Sequence, residues 1–185
     1  MAKQNDPQKR DSSPKRDNSQ RKEKDKEKVN SDLTEKVLHI NRCSKVVKGG
    51  RKFSFSALIL VGDGKGRVGY GFAKANELTD AIRKGGELAR RNMISIENDG
   101  ITIPHEVLEK WDGAILLIKP APDGSGVIAG SKVRAIFELA GISNVMAKNM
   151  GSNNPINQVK VAFKAIAQLC SRNKIKQLRG APATV

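Results

Sequence analysis

Residues 53–61 constrain the fold of this chain more than any other stretch. Phe53, Phe55, Ala57, Ile59 and Val61 alternate with Ser54, Ser56, Leu58 and Leu60. This is period-two patterning with one wholly apolar face, the mark of a strand rather than a helix. Gly62-Asp63-Gly64-Lys65-Gly66 follows, a turn made of residues that tolerate positive φ. Val68, Tyr70 and Phe72 then alternate with Gly69, Gly71 and Ala73 in a further strand. Residues 37–47 read as a strand preceding both. Three antiparallel strands are the simplest architecture these patterns allow.

A helix is expected over residues 78–94. Leu78, Ala81, Ile82, Gly85, Ala89 and Met93 fall on one of its faces, and Arg83, Lys84, Glu87, Arg90 and Arg91 mostly on the other. Gly85 and Gly86 each cost about 1 kcal/mol against alanine in a helix interior, and close packing on the sheet is one reason to keep them. Asn98-Asp99-Gly100 reads as a turn and a domain boundary. Beyond it, residues 101–103 look extended. Asp112-Gly113 signals a hairpin before a buried-looking strand at 114–119, which Pro120 and Pro122 end. A helix is expected over 131–140, with Gly141 where a C′ glycine stands. A strand is expected at 144–148. A last helix begins at Asn154-Pro155, a good N-cap with proline at N1. It runs to about Ser171, with Ile156, Val159, Phe163, Ile166 and Cys170 on one face. Residues 172–185 read as a basic, mobile end.

Residues 1–36 contain almost no large apolar side chains, so disorder is expected there. They hold eleven Lys/Arg and eight Asp/Glu, a net of +3, which leaves 15 − 3 = +12 of the formal +15 on the rest of the chain. The basic excess therefore belongs mainly to the part that folds. A sequence pI near 10 favours an anionic partner, nucleic acid before an anionic membrane. Cys43 and Cys170 lie far apart without CxxC spacing, against a disulfide framework or a zinc site. No run is long and apolar enough to span a membrane, and the N-terminus lacks the apolar region of a secretory signal. A cytoplasmic location is expected.

The charge concentrates between two strands. From Val37 to Gly62 there are five Lys/Arg (Arg42, Lys45, Lys48, Arg51 and Lys52) and no Asp or Glu. So much like charge in a short loop repels itself unless an anion neutralises it. Gly49 and Gly50 would let the backbone approach phosphates closely and offer N–H donors. RNA contact is favoured over a solvated charge run.

Other motifs weigh less. Gly64-x-Gly66-x-x-Gly69 matches a dinucleotide fingerprint on paper, but that motif needs a helix opening on it, and a strand follows here. It reads as a hairpin turn whose Lys65 and Arg67 could touch phosphate. The stretch from Gly124 through Gly126 to Gly130 opens a helix without Walker A spacing. A flexible capping loop and an RNA or protein contact both fit it, a nucleotide site far less. His39 and Cys43 share a strand face but sit too far apart for proton transfer. His39 and His105 read as ordinary surface or semi-buried residues, so no catalytic residue is expected. Phe53, Phe55, Tyr70 and Phe72 could form a base-stacking platform. Their alternation fits core packing better, so stacking on an open sheet is not expected.

The residues NRCSKVVKGGRKFSFSALILVGDGKGRVGYGFAKANE, then ARRNM, then PAPDGSGVIAGSKVRAIFELAGISNVMAKNMGSNNPIN carry a resemblance over roughly residues 33–169. They look like the bacterial small-subunit ribosomal protein five family, with several separate motifs in the right order. The resemblance implies an α+β fold. A double-stranded-RNA-binding-like domain (33–97), three antiparallel strands plus a helix, precedes a second small two-layer α/β domain (98–171) with a β-α-β-α ending. A disordered charged tail (1–32) and a basic C-terminal extension (172–185) flank them. In the family the β-α-β crossover is left-handed, against the usual rule.

The implied role is structural and regulatory, not enzymatic, with no cofactor or metal. The family binds small-subunit rRNA where head meets body and contacts ribosomal proteins four and eight. It lies near the channel through which mRNA enters, influences decoding accuracy, and is not a homo-oligomer. Its first-domain loop, matching Ser44 to Arg51, reaches rRNA near the spectinomycin site. The implied rRNA-binding set is Arg42, Ser44, Lys45, Lys48, Gly49, Gly50, Arg51, Lys52, Lys65 and Arg67. Gly124, Gly126 and Arg134 match the glycine loop and helix near the contact that tunes fidelity. The chain departs from the family in its longer tail, in Gly85-Gly86 and after Leu169. The rival reading is a free-standing double-stranded-RNA-binding or helicase-accessory module, and a nucleotide hydrolase is more remote.

Overall fold

A computed structural model describes residues 33–96 and 101–180. The expected tail at 1–32, the turn at Asn98–Gly100 and the last five residues lie outside them.

The first sheet has the order β1-β2-β3-β4, with β1 at Thr34–Val47, β2 at Gly50–Gly62, β3 at Arg67–Ala75 and β4 at Met93–Ser95. All its pairings are antiparallel. Helix α1, Leu78–Arg91, packs on one face. The helix stops three residues earlier than its periodicity suggests. Met93–Ser95 leave it to pair with Arg67–Gly69 on β3, so sheet pairing overrides helical spacing.

The second half of β2 is apolar at every position because both faces are covered. Ala57, Ile59 and Val61 meet Ala81 and Ala89 of α1. Leu58 and Leu60 join a larger core shared with the rest of the chain. Phe55 packs against the α1 side, Tyr70 and Phe72 against the larger core, as their alternation suggests. Phe53 does not: it is 46% exposed, because it lies toward the tip of the ribbon, beyond the reach of either layer.

The second sheet has the order β5-β6-β8-β7: β5 Val107–Trp111, β6 Ala114–Pro120, β7 Val127–Ile128 and β8 Val145–Gly151. Asp112 (φ 48°) and Gly113 (φ 68°) make the two-residue turn between β5 and β6, the sign pattern of a type I′ hairpin. Helix α2, Ser131–Ala140, links β7 to its parallel neighbour β8. It ends at Gly141, in the left-handed region at φ 77°. Helix α3, Pro155–Ala167, starts where Asn154 Oδ1 accepts from the Ile156 N–H at 3.1 Å. It ends before Ser171, and Arg172–Leu178 form a short helix α4 where an unstructured basic end is expected. The strand expected at 144–148 begins one residue later and extends to Gly151. Of residues 101–103, Thr102 makes a parallel bridge to Asn144.

Both sheets feed one core. Leu58, Leu60 and Val68 of the first sheet pack in the same cluster as Leu116, Ile118, Ile136, Phe137, Val159 and Ile166. The turn between β2 and β3 is part of this junction. Gly64 and Gly66 N–H groups donate to the Leu139 and Ala140 carbonyls, each at 2.9 Å. These carbonyls belong to the last turn of α2, where helical partners run out.

Candidate nucleic-acid interface

The basic segment is the end of a hairpin rather than an open loop. The β1–β2 ladder continues through Ser44↔Phe53, Lys45↔Lys52 and Val46↔Arg51 to Val47↔Gly50. Only Lys48 and Gly49 remain as the turn. Gly49 has φ 92° and Lys48 is not in the positive-φ region, the sign pattern of a type II turn, which favours glycine at the second position. Gly50 is extended, and open space lies where a side chain would begin. Gly49 shapes the turn, and Gly50 leaves its backbone approachable.

Arg42, Ser44, Lys45, Lys48, Arg51 and Lys52 are all exposed. Lys45 and Lys52 are direct cross-strand partners on one face of the ribbon. Side chains so placed start about 5 Å apart, and like charges there are destabilising. Arg42, Ser44, Arg51 and Phe53 lie on the other face. The Arg42 guanidinium stacks over the Phe53 ring, 3.7 Å from its centroid. None of the five cations forms an ion pair among the described residues. The arrangement is a two-faced cationic projection with no ion pair to neutralise it among the described residues, suited to phosphate contact.

Lys65 and Arg67 are not part of it. They sit at the far end of β2, whose 13 residues span about 40 Å at the usual strand rise. Asp63 organises that turn. Its Oδ1 accepts from the Lys65 and Arg67 N–H groups at 2.8 and 2.9 Å, and its Oδ2 from Arg67 Nε at 2.8 Å. Burial acts to raise the Asp63 carboxyl. The Arg67 side chain and the two backbone donors outweigh it and hold the group below the ordinary aspartate value. Arg67 partners Asp63 while most of its side chain, like that of Lys65, stays exposed.

The third set lies in the second half of the chain. Gly124 and Gly126 adopt φ 84° and 69° in the loop before β7, and Arg134 is exposed on α2. Asn144, only 4% exposed, fastens this loop. Its Oδ1 accepts from Gly126 N–H at 3.1 Å and its Nδ2 donates to Asp123 Oδ1 at 3.3 Å. Its carbonyl accepts from Thr102 Oγ1 at 2.7 Å. The loop is thus internally anchored rather than a free cap. Sequence reasoning missed Asn144, since a lone asparagine before a strand gives no signal. It missed Asp63 as well, although Asp in a glycine turn is a known way to bond nearby N–H groups.

Two family descriptions match this chain: ribosomal protein S5, N-terminal domain, over residues 33–97, and ribosomal protein S5, C-terminal domain, over residues 109–179. The chain belongs to the ribosomal protein S5 family. Among its relatives, small ribosomal subunit protein uS5 of Protochlamydia amoebophila is 78% identical over 157 residues, covering 85% of this chain and 94% of that protein. The Chlamydia felis protein of the same name is 70% identical over 148 residues, covering 80% and 90%. That of Chlamydia trachomatis serovar D is 64% identical over 148 residues, covering 80% and 90%. The two-sheet α+β fold agrees with the S5 architecture. Membership of the S5 family makes the chain a structural, non-enzymatic protein of the small ribosomal subunit, working in translation in the cytoplasm.

Proposed function

We propose that the β1–β2 hairpin tip binds small-subunit rRNA at the head–body junction, through Arg42, Lys45, Lys48, Arg51 and Lys52. The carrying observation is the Lys45–Lys52 cross-strand pair within five exposed cations that form no ion pair among the described residues. A folded ribbon keeps such a pair at a cost in stability, and a polyanion offsets that cost. Phosphate contacts fix position without reading sequence. Lys65 and Arg67 belong to a separate contact at the far end of β2. The resemblance supports ribosomal proteins four and eight as neighbours and mRNA nearby. It also supports an influence on accuracy through Gly124, Gly126 and Arg134. Domains at 33–97 and 98–171 follow the same reading.

The test is the salt dependence of binding to a small-subunit rRNA transcript. With six to ten phosphate contacts, affinity falls on the order of 10³–10⁵ between roughly 50 and 200 mM salt. Lys48→Ala weakens binding and reduces the logarithmic salt slope by about one. A flat salt response would sink the reading. In a second arm, Arg134→Ala changes misreading in a reporter strain while rRNA binding holds. Unchanged misreading removes the fidelity role.

A further inference from the structure

We propose that Phe53, with the Arg42 guanidinium stacked on it, seats one unpaired nucleobase. This rests on the hairpin tip binding RNA and names the kind of nucleotide it takes. Of the four strand aromatics in the first sheet, Phe55, Tyr70 and Phe72 pack against the two cores. Phe53 alone stands clear, with nearly half its surface accessible while Arg42 already lies over the ring. Ser44 is directly opposite, and Val46, 75% exposed, continues the same face toward the turn. Neither covers the ring as a core neighbour would.

The surroundings select the occupant. Arg51 shares this face, Lys45 and Lys52 occupy the other, and Lys48 caps the turn. Both strands lack acids from Val37 to Gly62. A nucleotide supplies what this surface lacks: a flat π-face for the ring and guanidinium, and flanking phosphates for the cations. A base inside an A-form helix cannot reach a side chain this way, because its faces are occupied by its neighbours. The class is therefore a looped-out or junction nucleotide, which can be splayed and stacked on Phe or Arg planes. Stacking tolerates any base, so the site fixes a flipped position rather than a sequence.

The experiment has two parts. In assembled small subunits carrying p-benzoylphenylalanine in place of Phe53, irradiation should join residue 53 to an unpaired rRNA nucleotide. A crosslink to a protein, to a base-paired stretch, or to nothing overturns the proposal. In binding to a small-subunit rRNA transcript, Phe53→Leu should weaken affinity about 5- to 150-fold, the usual range for losing one stacked base. The salt slope should stay unchanged, and Phe53→Tyr should bind as the parent does. Unimpaired binding by Phe53→Leu overturns the stacking site and leaves the phosphate reading standing. A flat salt slope in the parent chain removes the phosphate reading instead. Should Phe53→Leu fail to fold, the crosslink decides.

Discussion

Gly71 sits where strand β3 meets the backbone of α1. A Cβ built there would lie 2.0 Å from the Gly85 carbonyl oxygen, and one on Gly69 would lie 2.1 Å from that of Ala89. These are backbone atoms of a packed helix, so they cannot swing aside. Glycine in a strand interior costs roughly 0.5–1 kcal/mol against alanine. Here it allows the helix to lie directly on the sheet. Gly71→Ala should therefore lower stability by at least about 1–3 kcal/mol, the usual cost of overpacking. A urea midpoint well below the parent's is the expected reading, and an unchanged midpoint would refute the close contact. Gly85→Ala should cost less, because its nearest obstacle is the Ile59 Cδ1 tip at 2.8 Å. The alternation of Val68, Tyr70 and Phe72 made the strand legible in the sequence. It carried no sign that Gly69 and Gly71 were there for a helix, since that depends on a partner residues away. Phe53 was misjudged for a related reason: alternation tells which face a residue is on, not where the covering layer stops.

At the scale of the element, the β1–β2 hairpin sets free-state stability against binding. Lys45 and Lys52 repel across the ladder, and an opposite-charge pair at such a position contributes roughly 0.2–1 kcal/mol. Lys45→Glu should therefore make the free protein slightly more stable and its rRNA complex much weaker. Urea unfolding and transcript binding on the same variant check both signs. A variant both less stable and unimpaired in binding would contradict the electrostatic account. The two strands were readable from residues 37–62, but their patterning left residues 48–52 as a loop where only Lys48 and Gly49 form the turn. The first strand ends at Val47 as expected, but the second begins at Gly50 rather than Phe53, because glycine and lysine are poor strand formers. Helix α2 was readable to the residue because Gly141 ends it, and the start of α3 because Asn154-Pro155 begins it. The end of α1 was not, since Met93 continues the helical spacing while pairing with β3.

Across the whole molecule, the two sheets share one apolar core, and a short list of polar contacts around one turn ties its edge. Asp63 orders it, Gly64 and Gly66 donate to the last carbonyls of α2, and Lys36 reaches Glu138 at 2.8 Å. Nothing in the sequence pointed to this junction, because the partners that span it lie from 74 (Gly66 to Ala140) to 102 (Lys36 to Glu138) residues apart. Leu58 and Leu60 share a cluster with Phe137, so disturbing the turn should be felt in the second sheet. Asp63 allows this to be tested by pH. Its carboxyl is held below the ordinary value of 3.8 in the folded chain. A depressed folded value gives stability that is fully present above the unfolded value and lost as pH falls through the folded one. Asp63→Asn removes the charge at every pH. The parent should thus be the more stable at pH 7, and the gap should close as the solution is acidified below the ordinary aspartate value. Trp111, the chain's single tryptophan, ends β5 in the second sheet and reports from the other side of the junction. Its fluorescence should follow the same urea transition as the overall circular dichroism in both proteins. A gap that does not change with pH would remove Asp63 as the source. A Trp111 transition left unmoved by Asp63→Asn, while the circular dichroism shifts, would show that the two sheets unfold apart.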